Sequence, residues 1–568
     1  MGGEERLGAS PEMHGGDWPL RPWLLAGMLG LAGLLIHFAS DGHDTDAGRM
    51  ALVAFLFFGP LAAAFSLEQA RWKEVAVFSA IVGLAMAGIT WRAVHAEDHY
   101  PGMQYAFAAG VIATLLAVPL FQAGFHKTRF ATPYRQTHFF VWTDVVAGGG
   151  ALAFTGLTFA MTAVLAALFH LLKIDFLKDL LEDGWFDWTL AGAAFGAALG
   201  VLRNQLKIIG TLQSVVLLVL SLLAVPLALA LVIFLGAMVT SGPKVLWEAT
   251  RSATPILLTC AAGSFVLVNA VVRDEDEASS KSLVMRIAAL VLALGILPLT
   301  VFAAISIGTR VSAYGLSPER LWGLIAIAVA CLYGLAYLIA VLRGWKQRWR
   351  GQVRSANFYL AVGTCVVALI LALPILDFGA VSAASQISRL RSGAVSVEDF
   401  DYDALKWDFG DAGKRALAKL AEDPNAAIAK LAREAQARLT KPYRWPGLEK
   451  DKPMDRLDNL HTEITDPALR EKLESFVRSQ PYRCKSPCVA VDLGTDRNGS
   501  PHIAFVENRN VEHLRQDANG NLFVSDGSLP LPPERSTPVP GAVPQVEVRK
   551  YEGRRIYVNG KPVGRPFD

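Results

Sequence analysis

Two short stretches gather the residue types that hold metal ions. SDGHDTD (40–46) and HAEDHY (95–100) bring His43, His95 and His99 together with Asp41, Asp44, Asp46, Glu97 and Asp98. Imidazole nitrogens and carboxylate oxygens are the usual ligands of Zn²⁺ and similar ions. His95 and His99 would share a face if one helix ran through both. Loops of this composition are equally good at being hydrated, and solvation is the simpler reading. As a metal centre the ligands would be His43, His95, His99 and Asp98. A second pair, Cys484 and Cys488 in YRCKSPCVAV, flanks a Pro-containing turn and is close enough to close a disulfide in an oxidising compartment. The C-x-x-C spacing of redox sites is absent.

Other polar groups stand at or inside apolar runs, where burying them is costly. They are Asp144 in HFFVWTDVV, Asn269, and Asp377 in PILDFG. Asp377 either caps a helix end or pairs with Arg320 or Arg251; binding or proton handling is the alternative. The phosphate loop G-x-x-x-x-G-K-[ST] and the zinc motif H-E-x-x-H do not occur. Asp-Phe-Gly occurs at 377–379 and 408–410 without the catalytic loop that gives it meaning in kinases. No cofactor and no catalytic residue follows from these motifs.

These residues must be positioned by a membrane bundle. Of the 568 residues, 52% are hydrophobic and 18% charged, and the mean hydropathy is +0.34. Eleven apolar runs, near 22–39, 50–67, 74–91, 103–123, 139–172, 187–203, 211–240, 253–272, 284–307, 321–341 and 356–376, are each long enough for a hydrocarbon core of about 30 Å. The fifth and seventh are longer than needed and leave room for a re-entrant piece. Gly192, Gly196 and Gly200 lie four apart, a spacing for close helix approach. With the N-terminus inside, Lys and Arg of the inner segments outnumber those of the outer loops by about two to one. Eleven spans then place the C-terminal region outside. A net charge of +3 spread thinly points to no nucleic-acid partner.

The expected fold is an all-α polytopic transmembrane bundle of about 11 spans with a C-terminal extramembrane α+β region. Its parts are a cytoplasmic tail (1–21), the transmembrane domain (22–379), a helical extramembrane segment (380–480) and a small β-rich domain (481–568). Ala and Leu recur at three- and four-residue intervals from about 398, broken at Asp423-Pro424. From about 488 the pattern changes to short strands: CVAVDLG, HIAFVEN, NLFVSDG, VEVRKYEG and RRIYVNGKPVG, the last with an Asn559-Gly560 turn.

Three stretches carry a resemblance: SGPKVLWEATRSATP (241–255), AYGLSPERLW (313–322) and PILDFGAVSAASQISRLRSGAVSVEDFDYDALKWDFGDAGKRAL (374–417). Together they resemble the bacterial membrane-protein family called domain of unknown function 4153, over residues 130 to 425 or so. The resemblance implies a multi-pass inner-membrane protein and carries over no reaction or substrate. All three stretches fall on the outer side, which gives a candidate outer face of Trp247, Arg251, Tyr314, Arg320, Asp377, Gln386 and Arg389. The expected role is that of a non-enzymatic envelope protein whose periplasmic C-terminal domain binds a partner or senses. A carrier of a lipid or small envelope metabolite, and a transferase on a lipid-linked substrate, are the alternatives. Expected partners are the lipid bilayer and a periplasmic protein or lipid ligand.

Overall fold

The structure is a computed structural model that describes residues 18–42, 46–96, 99–242, 253–277, 279–344, 348–438, 441, 457, 459–480, 483–484, 488–495, 501–507, 510–516, 522–525, 554–558 and 561–567. Among them are eleven helices long and apolar enough to cross a membrane. In chain order they are α1 (Arg21–Ser40), α2 (Ala47–Ser66), α3 (Trp72–His95), α4 (Met103–Gln122), α5 (Tyr134–Leu171), α6 (Gly184–Asn204), α7 (Leu206–Ser241), α8 (Ala253–Val272), α9 (Leu283–Tyr314), α10 (Pro318–Arg343) and α11 (Trp349–Ala372). They alternate in direction, so one face carries the start of α1 and the opposite face the end of α11. The long spans α5 and α7 are each one continuous helix, α7 passing through Pro226 without a break. At 38 residues α5 is about 57 Å long. Its second half, from Leu152 to Leu171, is exposed along most of its length.

Packing follows residue size. A methyl group at Gly192 or Gly196 of α6 would collide with the carbonyls of Leu29 or Leu25 on α1, and one at Gly200 with Pro22. The small-residue spacing therefore has its partner in the first helix. A second core joins α7, α8, α9, α10 and α11 around Leu292, Ile296 and Tyr337. Met86, Ile89, Ala109 and Ala372 stitch α3 and α4 to α11.

Helix C-termini leave carbonyls without intrahelical donors, and arginines supply several of them. Arg203 donates to Ala64 O (2.7 Å) and Leu67 O (3.2 Å) at the end of α2. Arg21 donates to Arg203 O (3.0 Å) and Asn204 Oδ1 (3.0 Å) at the end of α6. Arg354 donates to Val272 O (2.8 Å) and Arg273 O (3.0 Å) at the end of α8. A cation there also meets the negative end of the helix dipole.

Beyond α11 the chain departs from the expected span. The helix stops at Ala372, and Asp377 begins the next one, α12 (Phe378–Arg391), by accepting from Ala380 N at 2.9 Å. Three short helices follow: α13 (Tyr402–Trp407), α14 (Gly410–Ala421) and α15 (Ala426–Ala437). They close over a core of Leu390, Phe400, Leu405, Phe409, Leu417, Leu420 and Ile428. Asp423 lies in the turn that Asp423-Pro424 marks, paired with Arg391 and accepting from Asn425 N. This segment belongs with the bundle: the chain divides into Met1–Lys441 and Pro442–Asp568. Helix α16 (Pro467–Ser479) lies in the second unit because Leu473, Phe476 and Val477 pack against Ile503, Phe505 and Leu514 of its sheet.

That sheet has the order β1 (Leu460–Thr462), β2 (Cys488–Thr495), β3 (Pro501–Glu507), β4 (Asn510–Gln516), β5 (Leu522–Ser525). The β1–β2 pair is parallel and the others are antiparallel. The expected C-terminal hairpin is present as β6 (Arg554–Val558) and β7 (Lys561–Phe567). The strand β4, NVEHLRQ, is not among the expected strands, because its alternation is interrupted by charge. VEVRKYEG lies outside the described residues.

Candidate functional site

At the face where α9 ends, the chain must turn sharply into α10. Gly315 supplies the turn with a φ of +73°, and Ser317 caps α10 by accepting from Arg320 N. The last carbonyls of α9 are then gathered by three side chains. Arg389 donates to Ser312 O (2.8 Å) and Ala313 O (2.6 Å). Gln386 donates to Tyr314 O (2.8 Å) and Leu316 O (2.9 Å). Arg320 donates to Gly315 O (2.7 Å) and lies over the Tyr314 ring, 5.5 Å from its centroid. A Cβ at Gly315 would run into Arg389 and Gln386. Four of the seven outer-face candidates, Tyr314, Arg320, Gln386 and Arg389, therefore meet in one cluster that ties α12 to α9. Asp377 stands apart as the cap of α12, and Arg320 turns to backbone carbonyls rather than to it. Trp247 and Arg251 lie outside the described residues.

The histidine loops divide in the same way. Helix α3 ends at His95, whose ring stacks on Trp91 at 4.8 Å. The helix does not continue to His99, so the shared face required for two ligands is not formed. His99 instead meets α14: its Nδ1 is 2.7 Å from Asp411 Oδ2, and its carbonyl accepts from Asp411 N at 2.9 Å. The His99 contact, then Lys414, holds the Asp411 carboxyl below the usual carboxylate range. Among the described residues no three His, Cys, Asp or Glu side chains are grouped as for a metal ion. His43 and Asp98 lie outside them.

In the second unit Cys484 and Cys488 are joined as a disulfide, their Cα atoms 5.3 Å apart and both side chains buried. Nearby strands hold a buried histidine pair, His502 Nε2 and His513 Nδ1 at 2.9 Å. Burial pushes His513 below the ordinary imidazole value.

The opposite end of the bundle carries a polar cluster of which sequence reading singled out only Asn269. Asn269 Nδ2 donates to the Tyr337 hydroxyl (2.8 Å), which donates to Asn357 Oδ1 (2.8 Å), and Asn357 Nδ2 donates back to Asn269 Oδ1 (2.6 Å). Asn357 Nδ2 also reaches the Tyr134 hydroxyl at 3.4 Å. Tyr337 is fully buried. The triangle binds α8, α10 and α11, with α5 alongside. A separate group holds Asp144: Gln122 donates to its Oδ1 (3.2 Å) and to Phe65 O (2.7 Å). Polar residues inside apolar runs were the available signal, and Asn357, close to the start of its span, carried it. Between α7, α8 and α9, toward the α9 C-terminal face, lies an apolar cleft of about 220 Å³ lined by Leu227, Leu231, Phe234, Leu257 and Cys260.

No curated protein and no solved structure matches the chain. Residues 51–420, from the second span to the end of α14, match the family described as Domain of unknown function (DUF4153). That stretch begins well before the region near residue 130 where the resemblance was first legible. With well over half of its length inside that match, the chain belongs to the DUF4153 family.

Proposed function

We propose that this multi-pass membrane protein is a non-enzymatic envelope protein of the bacterial inner membrane, with the N-terminus in the cytoplasm and residues 380–568 outside. Its C-terminal region recognises a periplasmic partner, and the α12–α15 segment passes that engagement to the bundle. One observation carries the reading: α12 is bonded to the end of α9 through Gln386 and Arg389, while α14 is bonded to the α3–α4 loop through His99 and Asp411. Gln386 and Arg389 are spent on backbone carbonyls, which suits a mechanical joint better than a reaction centre. Reporter fusions in the 315–317 turn and at the C-terminus should report an external location. A cytoplasmic report from either overturns the orientation. Cross-linking in intact membranes should give a stoichiometric protein partner attached within 442–568.

A second reading, a carrier of a lipid or lipid-like metabolite, is favoured by the apolar cleft between α7, α8 and α9. Native mass spectrometry of the protein in mild detergent separates the two. A discrete retained lipid or metabolite supports the carrier; a bare protein with a cross-linked partner supports the joint.

A further inference from the structure

His138, one turn into α5, is 6% exposed, and neither ring nitrogen has a hydrogen-bond partner among the described residues. An imidazole always presents a donor, and when neutral an acceptor as well. Leaving both unmet inside a membrane bundle is costly. Its ring neighbours on the same helix are Tyr134 and Trp142, the latter 6.3 Å away. Tyr134, one turn earlier on the same helix, has its ring centroid 5.6 Å from that of His138. The Tyr134 hydroxyl accepts from Asn357 and so keeps its own proton to donate. Thr137 Oγ1, also buried, is unmet as well. Behind Tyr134 stands the triangle of Asn269, Tyr337 and Asn357, in which every hydrogen bond is directed.

From these contacts we infer that His138 is a proton-binding residue, reached by water from the face where α5 begins and connected through Tyr134 to the buried Asn357–Tyr337–Asn269 triangle. This goes beyond the proposed joint and holds whether the protein transmits or transports. Water on the two ring nitrogens satisfies the neutral imidazole. A proton delivered from that water to the free nitrogen gives the imidazolium, with hydroxide or buffer base left in solution. The charges that bear on the ring are Asp274 and Arg273, just past the end of α8, and Arg354 on α11. Two of them are already paired, Arg354 with Asp276 at 3.0 Å and Asp274 with Arg135 at 3.8 Å. The carboxylate of Asp274, shared with Arg135, is the one negative charge among the three.

The test is nitrogen-15 NMR of histidine-labelled full-length protein in lipid nanodiscs, titrated over the range in which protein imidazoles change charge, about pH 4 to 9. Eleven histidines are present, so His138 is assigned by the signal that H138Q removes. The expected result is a reversible change of that signal from neutral to protonated, with magnetisation transfer from water at both nitrogens. A signal that stays neutral throughout, or one with no water transfer, overturns the proposal. Y134F provides the second arm and leaves His138 in place. Loss of the hydroxyl should move the His138 midpoint by at least threefold in proton concentration, and an unmoved midpoint refutes the connection to the triangle.

Discussion

Replacing Gln386 and Arg389 together by alanine tests whether α12 is held to the bundle by the end of α9. The double variant removes four hydrogen bonds, two from a guanidinium and two from an amide. A bond from a charged donor contributes about 1.5–3 kcal/mol where it is shielded, and a neutral one about 1 kcal/mol. Ser312 O, Ala313 O and Tyr314 O lie at an exposed face and regain water when their donors leave. The Leu316 O bond is partly buried and loses more. Exposure takes each arginine bond and the Tyr314 bond down to about 0.5 kcal/mol, and with about 1 kcal/mol for the Leu316 bond the combined loss is about 2–3 kcal/mol. At 1.4 kcal/mol per factor of ten, amide exchange in α12 should accelerate by about 30- to 150-fold. Hydrogen-exchange mass spectrometry of the full chain in nanodiscs reads this directly, with α1 and α6 as an internal reference that should not change. R389K should fall between, since an ammonium keeps the charge but loses the two-pronged fork. Exchange in α12 unchanged within threefold in the double variant would refute the joint.

Y337F leaves Asn357 Oδ1 without its donor and removes one acceptor from Asn269, which retains Phe265 O at 2.8 Å. The expected loss is about 1 kcal/mol, because polar contacts inside membrane bundles average well below their aqueous counterparts; thermal unfolding in detergent measures it. Asp423 is held below the usual carboxylate range first by Arg391 and then by Asn425 N. Its contribution is therefore complete above the unfolded value of about 3.9 and is lost as pH falls through the lower folded value. Limited proteolysis between α14 and α15 should accelerate only at that acid end, and D423N should be susceptible at neutral pH with the acid step removed. The disulfide closes a five-residue loop, for which chain entropy gives about 2 kcal/mol. C484S should lower the stability of the β2 region by that amount on hydrogen exchange, with no effect on α12.

Much of the bundle was legible because an apolar run of membrane length is a strong, local signal. All eleven spans, the Gly192–Gly196–Gly200 contact surface and the Ser317 cap are set by residues within a few positions of one another. What was not legible depends on partners far away in sequence. Asp377 reads as the foot of a span, yet Pro374 ends the helix region early and frees the carboxylate to start a new one. The His95–His99 face required the helix to outlast its apolar run, and α3 ends at His95. Tyr337 looks like one more aromatic in an apolar helix until Asn269 and Asn357, 68 and 20 residues away, are placed beside it. Tyr314, Arg320, Gln386 and Arg389 lie together in space. Their chemistry, donation to the carbonyls of a helix end, was invisible without the backbone.

This bears on the charge asymmetry from which the orientation is argued. An arginine fixed to helix carbonyls has a structural reason to be where it is, so it is a poor witness to membrane topology. Arg21, Arg203 and Arg354 are such residues on the face where α1 begins. On the opposite face Arg320 is one, and Arg49, which donates to Phe38 O at 3.3 Å, is another. Setting all five aside removes charge from both faces in similar proportion, and the remaining Lys and Arg still favour the N-terminal face by about two to one. The bias thus survives the removal of the residues that packing accounts for. What remains includes Arg286, Arg343 and Arg348, which bond no helix carbonyl among the described residues. The proposed cytoplasmic N-terminus rests on those, and substituting them with neutral residues is the change to which the fusion reporters should respond.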